Sequence, residues 1–168
     1  YAFLNKEDVH SQTASNVFNV DINDVTPEMR RTSKIVNFGI MYGAGPFRMS
    51  QELGIPINEA SEIIRMYFIK YPGIKNYINN TIEKARIQKY VETILGRKRS
   101  VWDIQSNNNL HRKSAERMAI NMPIQGSAAE MIKLAMISIG ENITQMGMES
   151  KLVLQIHDEL LFEFPVHE

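Results

Sequence analysis

The chain has 168 residues, of which 43% are hydrophobic, and its 19 basic and 19 acidic residues leave a formal net charge of zero. This length and composition suit one or two small lobes around a moderate core, and they exclude a disordered or fibrous chain. The sequence contains neither a run of about 18 apolar residues nor a charged segment followed by an apolar one, so it predicts no membrane span and no secretory signal.

Cysteine is absent, which excludes disulfides and thiolate metal sites and fits a cytoplasmic location. The zero net charge argues against a protein that grips a polyanion, but it hides local clusters of basic residues and an acidic C-terminal stretch. Such separation suits an enzyme that holds nucleic acid in one place and a metal ion in another, and it equally suits an ordinary solvated surface. The basic clusters are Arg30, Arg31 and Lys34; Lys84, Arg86 and Lys89; Arg97, Lys98 and Arg99; and Arg112, Lys113 and Arg117, and the acidic residues are Asp158, Glu159, Glu163 and Glu168.

The first predicted element is a helix that begins near Asp8 and contains His10. A lone histidine near a helix N-terminus is more often a structural or surface residue than a ligand. The chain starts at Tyr1 without a methionine, and we interpret it as a piece of a larger protein.

The next predicted element is a helix over residues 26–43, the stretch TPEMRRTSKIVNFGIMYG. Thr26 is a candidate N-cap, Pro27 suits the first helical position, and Glu28 adds an acidic residue to the first turn. Gly43 and Gly45 supply the signal that ends the helix. These signals therefore predict both ends of the helix.

Arg30, Lys34, Phe38 and Tyr42 recur every four residues along this helix. A step of four advances about 400°, so the four side chains drift only about 40° per step and share one face. Two cations followed by two aromatic rings suit a nucleotide, with polyphosphate on the cations and a sugar or base on the rings. The alternative is a surface face whose long cations lie over core packing.

Three helices are predicted between this helix and residue 90. Phe47 to Leu53 form a short helix closed by Gly54, and a second helix spans residues 59–71 with Asn58 as its candidate cap. The Tyr71-Pro72-Gly73 break ends it. The apolar positions of residues 74–90 again follow a helical period.

Alternating residues from Val91 to Leu95, the break at Gly96 and a basic return strand predict a β-hairpin over residues 91–102. A polar loop at residues 106–109 then caps a helix over residues 110–121. Pro123 is expected to interrupt the helix, and a longer core helix follows over residues 124–146. Its predicted apolar face consists of Ala128, Met131, Ile132, Ala135, Met136, Ile139 and Ile143.

Arg117, Asn121 and Gln125 are spaced by four across the proline, and we expect them to point away from that core. Polar residues at such positions are most often the solvated side of a helix. The last stretch, KLVLQIHDELLFEFPVHE, predicts a hairpin of strands over residues 152–156 and 160–164 with a tip of His157, Asp158 and Glu159. Acidic residues at a tight turn are usually only turn formers.

Several of these segments, in this order, resemble motifs of the family A (polymerase I type) DNA polymerases. The fingers-helix motif R-x3-K-x3-F-x3-YG, the hairpin YVET-x2-GRKR, the template and primer segment ER-x2-IN-x2-IQG and the palm motif QIHDE are all present, and DVH-x2-TA precedes them. A chance match to one motif is plausible, but a match to four in order across nearly the whole chain is not. We identify the chain as similar to this family.

The resemblance implies an α+β fold with helical fingers at residues 1–105, including the hairpin near 91–102, followed by part of an antiparallel palm at residues 106–168. It also implies a DNA-directed DNA polymerase that adds deoxynucleotides to the 3′ hydroxyl of a primer. The implied partners are primer-template DNA and dNTPs, without a membrane, and the expected state is a monomer. The implied nucleotide-binding residues are His10, Arg30, Lys34, Phe38 and Tyr42, with Lys34 also catalytic through a proton given to the leaving pyrophosphate.

The resemblance further implies two Mg²⁺ ions, with Asp158 as a metal ligand and Glu159 supporting the metal site or the primer end. Arg117, Asn121, Gln125, Gln155 and His157 would contact the nucleic acid. The family's second metal-binding aspartate, in a motif that resembles DYSQIELR, is not present, so we expect the chain to be a truncated polymerase piece that is inactive alone. Two alternatives are a phage-type single-subunit RNA polymerase and a non-catalytic nucleic-acid-binding module derived from a polymerase.

Overall fold

The computed structural model describes residues 4–168, which form helices and two small antiparallel sheets in an α+β architecture. No helix in this range is long and apolar enough to cross a membrane. The helices are α1 (Val9–Phe18), α2 (Pro27–Met41), α3 (Pro46–Leu53), α4 (Ile57–Lys70), α5 (Pro72–Gln88) and α6 (Asn109–Gln145), and the strands are β1 (Tyr90–Glu92), β2 (Lys98–Ser100), β3 (Lys151–Ile156) and β4 (Glu159–Glu163). Short 3₁₀ helices lie at Ile22–Asp24 and Trp102–Gln105.

The chain divides into two compact units. The first unit contains the residues up to Val91 together with Ser100–Asn121, and the second contains Glu92–Arg99 and Met122–Glu168. The assignment of residues 1–105 to fingers and 106–168 to palm remains a prediction.

In the first unit, α1 packs against α2 and α3 packs against α4. Their shared core is apolar, as the periodicity of the helices requires. Thr26 caps α2 by accepting a hydrogen bond from the backbone N–H of Met29, which confirms the predicted start of this helix. The buried core cluster comprises Val17, Val36, Ile40, Met49, Ala60 and Tyr67.

The start predicted for α4 is wrong by two residues. Pro56, whose backbone is extended, stands at the N-cap, and the helix begins at Ile57. Asn58 therefore lies in the first turn and does not cap the helix. A proline at the cap sets the chain direction through its fixed φ, so no side-chain cap is needed to begin the helix here.

Helix α6 runs without interruption through Pro123, so the expected break there is wrong. The proline removes the backbone donor that would bond the carbonyl of Ala119, and two side-chain hydroxyls bond other carbonyls nearby. The hydroxyl of Tyr77 donates to the carbonyl of Ile120 at 2.9 Å. The hydroxyl of Ser127 donates to the carbonyl of Pro123 itself.

In the second unit, the turn that joins β1 to β2 is attached to α6 by polar contacts. Ser127 accepts a hydrogen bond from the backbone N–H of Ile94 at 3.0 Å, and the guanidinium of Arg97 contacts the carboxylate of Glu130 at 2.8 Å. Ser127 and Glu130 are buried, with 7% and 6% exposure. Arg97 is thus neutralised by a residue of its own chain.

The apolar face predicted for the second half of α6 is not a buried core among the described residues. Met131 is 61% exposed and Ala128 is exposed, whereas the other five residues of the face are half-buried: Ile132, Ala135, Met136, Ile139 and Ile143. The helical period was predicted correctly, and the face is partly covered without any of its seven residues being fully buried. Periodicity identifies which residues share a face and does not show what packs on it.

Strands β3 and β4 form the predicted C-terminal hairpin. Gln155 is opposite Leu160 and Ile156 is opposite Glu159, with an irregularity in the register between Leu152 and Leu154. Glu159 is therefore the first residue of β4 and not part of the turn. Only two residues, at 157 and 158, connect the strands.

Candidate nucleotide and nucleic-acid site

Helix α2 carries the predicted nucleotide face on its exposed side. Phe38 is 49% exposed and Tyr42 is 44% exposed, which is unusual for aromatic residues in a helix that packs against a core. The buried positions of α2 are Ser33, Val36, Gly39 and Ile40. The rings therefore do not belong to the core side, and the cation and ring face is presented outward.

Arg30 is held by an ion pair with Asp8. The guanidinium Nε lies 2.5 Å from Oδ2, and a second nitrogen lies 3.3 Å from Oδ1. The same carboxylate caps α1 by accepting from the backbone N–H groups of His10 and Ser11. The Arg30 guanidinium, together with the Ser11 hydroxyl, holds the pKa of Asp8 well below its usual range. Asp8 thus joins the start of α1 to the first cation of α2.

His10 lies beside the predicted nucleotide face. Its ring centroid is 5.9 Å from that of Phe38, at an interplanar angle of 48°. Its Nδ1 is 3.1 Å from the side-chain nitrogen of Asn37, which also donates to the hydroxyl of Thr13 at 3.1 Å. The structure therefore brings His10, predicted from a motif far from α2, to the face that carries Phe38.

Arg117 lies close to the end of α2. A Cβ atom built on Gly43 would lie 2.7 Å from Cγ of Arg117, and Gly43 has a φ of 67°. Only glycine both adopts this backbone conformation at no cost and leaves room for the arginine stem. Within the first unit, a residue predicted to contact nucleic acid is thus adjacent to α2, which carries the predicted nucleotide face.

A groove of about 440 Å³ surrounds this close approach. Arg48, Lys113 and Arg117 contribute cations to its lining, and the guanidinium of Arg48 contacts the carboxylate of Glu52 at 2.8 Å. The one carboxylate in the lining, Glu116, is bound by Arg86 at 2.7 Å. The groove therefore has a positive balance, which suits a phosphate backbone.

The remaining predicted nucleic-acid residues of α6 differ in burial. Asn121 is half-buried in the first unit, whereas Gln125 is exposed in the second.

The turn of the C-terminal hairpin presents the HDE residues to solvent. His157 has a φ of 52°, in the left-handed region that few non-glycine residues occupy. The side chain of Gln155 donates to the backbone carbonyl of His157 at 2.9 Å. Asp158 and Glu159 are exposed. The glutamine therefore stabilises the turn that carries the predicted metal ligand.

The carboxylate of Asp158 is a hard oxygen ligand of the type that Mg²⁺ prefers. Across residues 4–168, however, no group of three or more His, Asp and Glu side chains is placed to hold a metal ion. The chemistry of Asp158 fits a magnesium site, but the described residues supply too few ligands to complete one.

Sequence reasoning missed Asp8, Thr13 and Asn37 as members of this site. Asp8 was visible as part of a helix start and of the motif DVH-x2-TA, but its pairing was not, since its partner Arg30 is 22 residues away. One sequence signal could have identified Asn37. It is a polar residue of low helix propensity that lies between the buried positions Val36 and Gly39. Such a residue often satisfies a specific hydrogen bond.

Comparison with known proteins gives matches along the whole chain. The model of the family "DNA polymerase family A" matches residues 1–168. The chain is 50% identical to the DNA polymerase I of Caldicellulosiruptor bescii over 167 residues, covering 99% of this chain and 20% of that protein. It is 47% identical to the DNA polymerase I of Borreliella burgdorferi, covering 99% of this chain and 18% of that protein.

Among solved structures, the POL domain of Pol1 from M. smegmatis, in complex with a DNA primer-template and dNTP, matches with a TM-score of 0.94 and 42% identity. The match covers 98% of this chain and 29% of that one. The chain thus spans about a fifth of the length of these curated relatives. Because sequence and fold agree over essentially all of its residues, this chain belongs to DNA polymerase family A.

Proposed function

We propose that this chain forms the nucleotide-binding region and part of the catalytic region of a template-directed DNA polymerase. The observation that carries the proposal is the outward face of α2, where two cations precede two half-exposed rings and His10 adjoins Phe38. Membership of a DNA polymerase family supports it and counts against the phage-type RNA polymerase alternative. The expected state is a cytoplasmic monomer.

In the proposed complex, Arg30 and Lys34 bind the triphosphate, because fixed cations neutralise the charge that develops during phosphoryl transfer. Lys34 also gives a proton to the leaving pyrophosphate. Phe38 and Tyr42 pack against the sugar and the nascent base pair, and His10 donates a hydrogen bond to the triphosphate.

The proposed nucleic-acid contacts lie on α6 and the C-terminal hairpin. Arg117 binds a phosphate from the positive groove, which fixes the position of the duplex without reading its sequence. Asn121 and Gln125 approach the minor groove, where amides can donate to the base acceptors common to all pairs. Gln155 and His157 steady the primer terminus.

Family A polymerases are metal-dependent, and we propose Mg²⁺ as the metal, with two ions in the intact enzyme. Asp158 would supply one ligand, and Glu159 would support the metal site or the primer end. When bound, the ions would stabilise the attacking and leaving oxygens of the displacement. The intact enzyme would need a second carboxylate in addition to Asp158, because a two-ion displacement takes carboxylates from more than one place.

The test compares Lys34→Ala and Arg117→Ala in the full-length polymerase. Lys34→Ala should lower the rate of nucleotide addition and the affinity for dNTP together, because its charge acts where phosphate charge develops. Arg117→Ala should weaken duplex binding and reduce the slope of log affinity against log salt by about one. Single-turnover kinetics and DNA titrations at several salt concentrations measure both.

Lys70→Ala is the matched control, because Lys70 is an exposed lysine in the last turn of α4. It should change neither the kinetics nor the salt slope. The same defect in the Lys34 and Arg117 variants would refute the division into a nucleotide helix and a duplex contact. Normal nucleotide addition by the Lys34 variant would refute the nucleotide assignment of α2.

A further inference from the structure

Asn37 lies on α2 immediately before Phe38, yet its side chain reaches away from the cation and ring face. It contacts two residues of α1, at a separation of 24 and 27 residues along the chain, namely Thr13 and His10. Thr13 is only 3% exposed, so its hydroxyl must find partners within the protein. The hydrogen bonds of this cluster can therefore be assigned one by one.

The assignment begins at Thr13. Its hydroxyl donates to the carbonyl of Val9 at 2.8 Å, and the contact to Oδ1 of Asn37, at 3.5 Å, is much longer. With its only hydrogen used, the Thr13 oxygen must accept from the amide nitrogen of Asn37 at 3.1 Å. The amide orientation of Asn37 is fixed by this requirement.

The fixed amide then determines the state of His10. The second hydrogen of the Asn37 amide points to Nδ1 of His10 at 3.1 Å, so Nδ1 must accept. An imidazole that accepts at Nδ1 carries its proton on Nε2. Among residues 4–168, Nε2 makes no hydrogen bond, and the ring is flanked by Phe38 at 5.9 Å. A ring with this tautomer offers one oriented donor, the Nε2–H group, beside the predicted nucleotide face.

We propose that Asn37, anchored by Thr13, is a positioning residue that selects this tautomer of His10 and aims its Nε2–H at an oxygen of the incoming triphosphate. The inference rests on the proposed nucleotide role of His10. Without Asn37 the ring could rotate or carry its proton on Nδ1, and Nε2 would then present a lone pair to an anion. Asn37 itself does not touch the substrate.

A double-mutant cycle in the full-length polymerase tests the proposal, with Asn37→Ala, His10→Ala and the double variant. If Asn37 acts through His10, Asn37→Ala should raise the dNTP dissociation constant about three- to tenfold, as expected for one hydrogen bond. In the His10→Ala background the same change should have less than about a twofold effect. Pre-steady-state single-nucleotide addition gives the dissociation constant and the rate constant separately.

Two further variants separate positioning from loss of packing. Thr13→Val removes the anchor of the amide while keeping the side-chain volume, and its effect on dNTP affinity should also vanish when His10 is absent. Asn16→Ala is the matched control, because the Asn16 amide donates to the hydroxyl of Tyr71 at 2.9 Å and does not contact His10. It should leave dNTP affinity unchanged in either background, and thermal melting checks that each variant folds.

The outcomes distinguish this inference from the function on which it rests. Additive effects of Asn37→Ala and His10→Ala would overturn the positioning role, as would a loss of dNTP affinity in the Asn16 control equal to that of Asn37→Ala. Unchanged dNTP affinity in Asn37→Ala, with a clear loss in His10→Ala, would overturn it while leaving the proposed function intact. Unchanged affinity in His10→Ala would remove His10 from the triphosphate site, and the inference with it.

Discussion

Asp8 connects two helices through one carboxylate. It caps α1 by accepting from two backbone N–H groups, and it holds the guanidinium of Arg30 on α2. The charge is needed for the second contact only, because a neutral amide caps a helix about as well as a carboxylate. Asp8→Asn therefore removes the charge and keeps one capping oxygen, while the other oxygen, which accepts from Ser11, is replaced by an amide nitrogen.

Asp8→Asn should destabilise the chain at neutral pH by less than the loss of a helix cap, which costs about 1 kcal/mol. The pKa of Asp8 is lowered in the folded state, so its contribution is present above the unfolded value of about 4 and is lost as the pH falls towards the folded value. The difference between wild type and variant should shrink below about pH 4. Urea unfolding at pH 7, 4 and 3 measures this difference in the free energy of unfolding.

Asp21→Asn is the control for this comparison. Asp21 caps the 3₁₀ helix at Ile22–Asp24 by accepting from the N–H of Asn23, and no ion pair involves it among the described residues. Asp21→Asn should lower the free energy of unfolding by less than Asp8→Asn does, and the amount should change less with pH. A variant of Asp8 whose deficit grows at low pH would show that the ion pair is not what the carboxylate contributes.

At the scale of elements, α6 contains two glycines in opposite surroundings. A Cβ on Gly126 would lie 2.7 Å from Cγ2 of Thr93, whereas a Cβ on Gly140 would meet no atom within 4 Å. Thr93 cannot easily yield, because it is 4% exposed and its hydroxyl accepts from the N–H of Arg97. Packing against the hairpin of β1 and β2 therefore requires glycine at 126, whereas it places no constraint on residue 140.

Gly126→Ala should destabilise the chain by about 1 to 3 kcal/mol through overpacking. Gly140→Ala in the same helix should stabilise it by about 0.5 to 1 kcal/mol, since alanine favours the helix and nothing obstructs it. Chemical denaturation of both variants measures the free energy of unfolding, which should fall in Gly126→Ala and rise in Gly140→Ala. Equal effects would mean that helix propensity alone governs both positions and that the contact with Thr93 is unimportant.

The elements that the sequence predicted well are those with local signals. Thr26 and Pro27 begin α2, Gly54 ends α3, and the two apolar runs around residue 157 form β3 and β4. The common face of α2 follows from the helical period alone. Each of these predictions needs information from only a few neighbouring residues.

The elements that the sequence predicted poorly depend on distant partners. Pro123 stays inside α6 with Tyr77, 43 residues from Ile120, donating to the adjacent turn. The contact between Asn37 and His10 joins residues 27 positions apart. A periodic pattern cannot report such pairs, because it records a face and not the atoms that meet it.

At the scale of the whole molecule, the 168-residue chain should not extend a primer by itself. Asp158 is exposed at a turn, and the described residues contain no three-ligand group for a metal ion. A two-ion displacement needs carboxylates from more than one place. Incubation with primed template, four dNTPs and Mg²⁺ tests this, with the full-length polymerase as positive control. Extension by the chain alone would mean that its catalytic carboxylates have been misidentified.

The left-handed backbone of His157 has a consequence for attempts to improve such an enzyme. A non-glycine residue held at a φ of 52° costs the folded state about 1 kcal/mol or more, whereas glycine or asparagine tolerates this conformation. Laboratory evolution for heat resistance alone would favour replacing the histidine and would discard an imidazole next to the proposed metal ligand. Under the role proposed for His157 at the primer terminus, this position opposes thermostability to activity, and a library randomised here would be selected for both properties together.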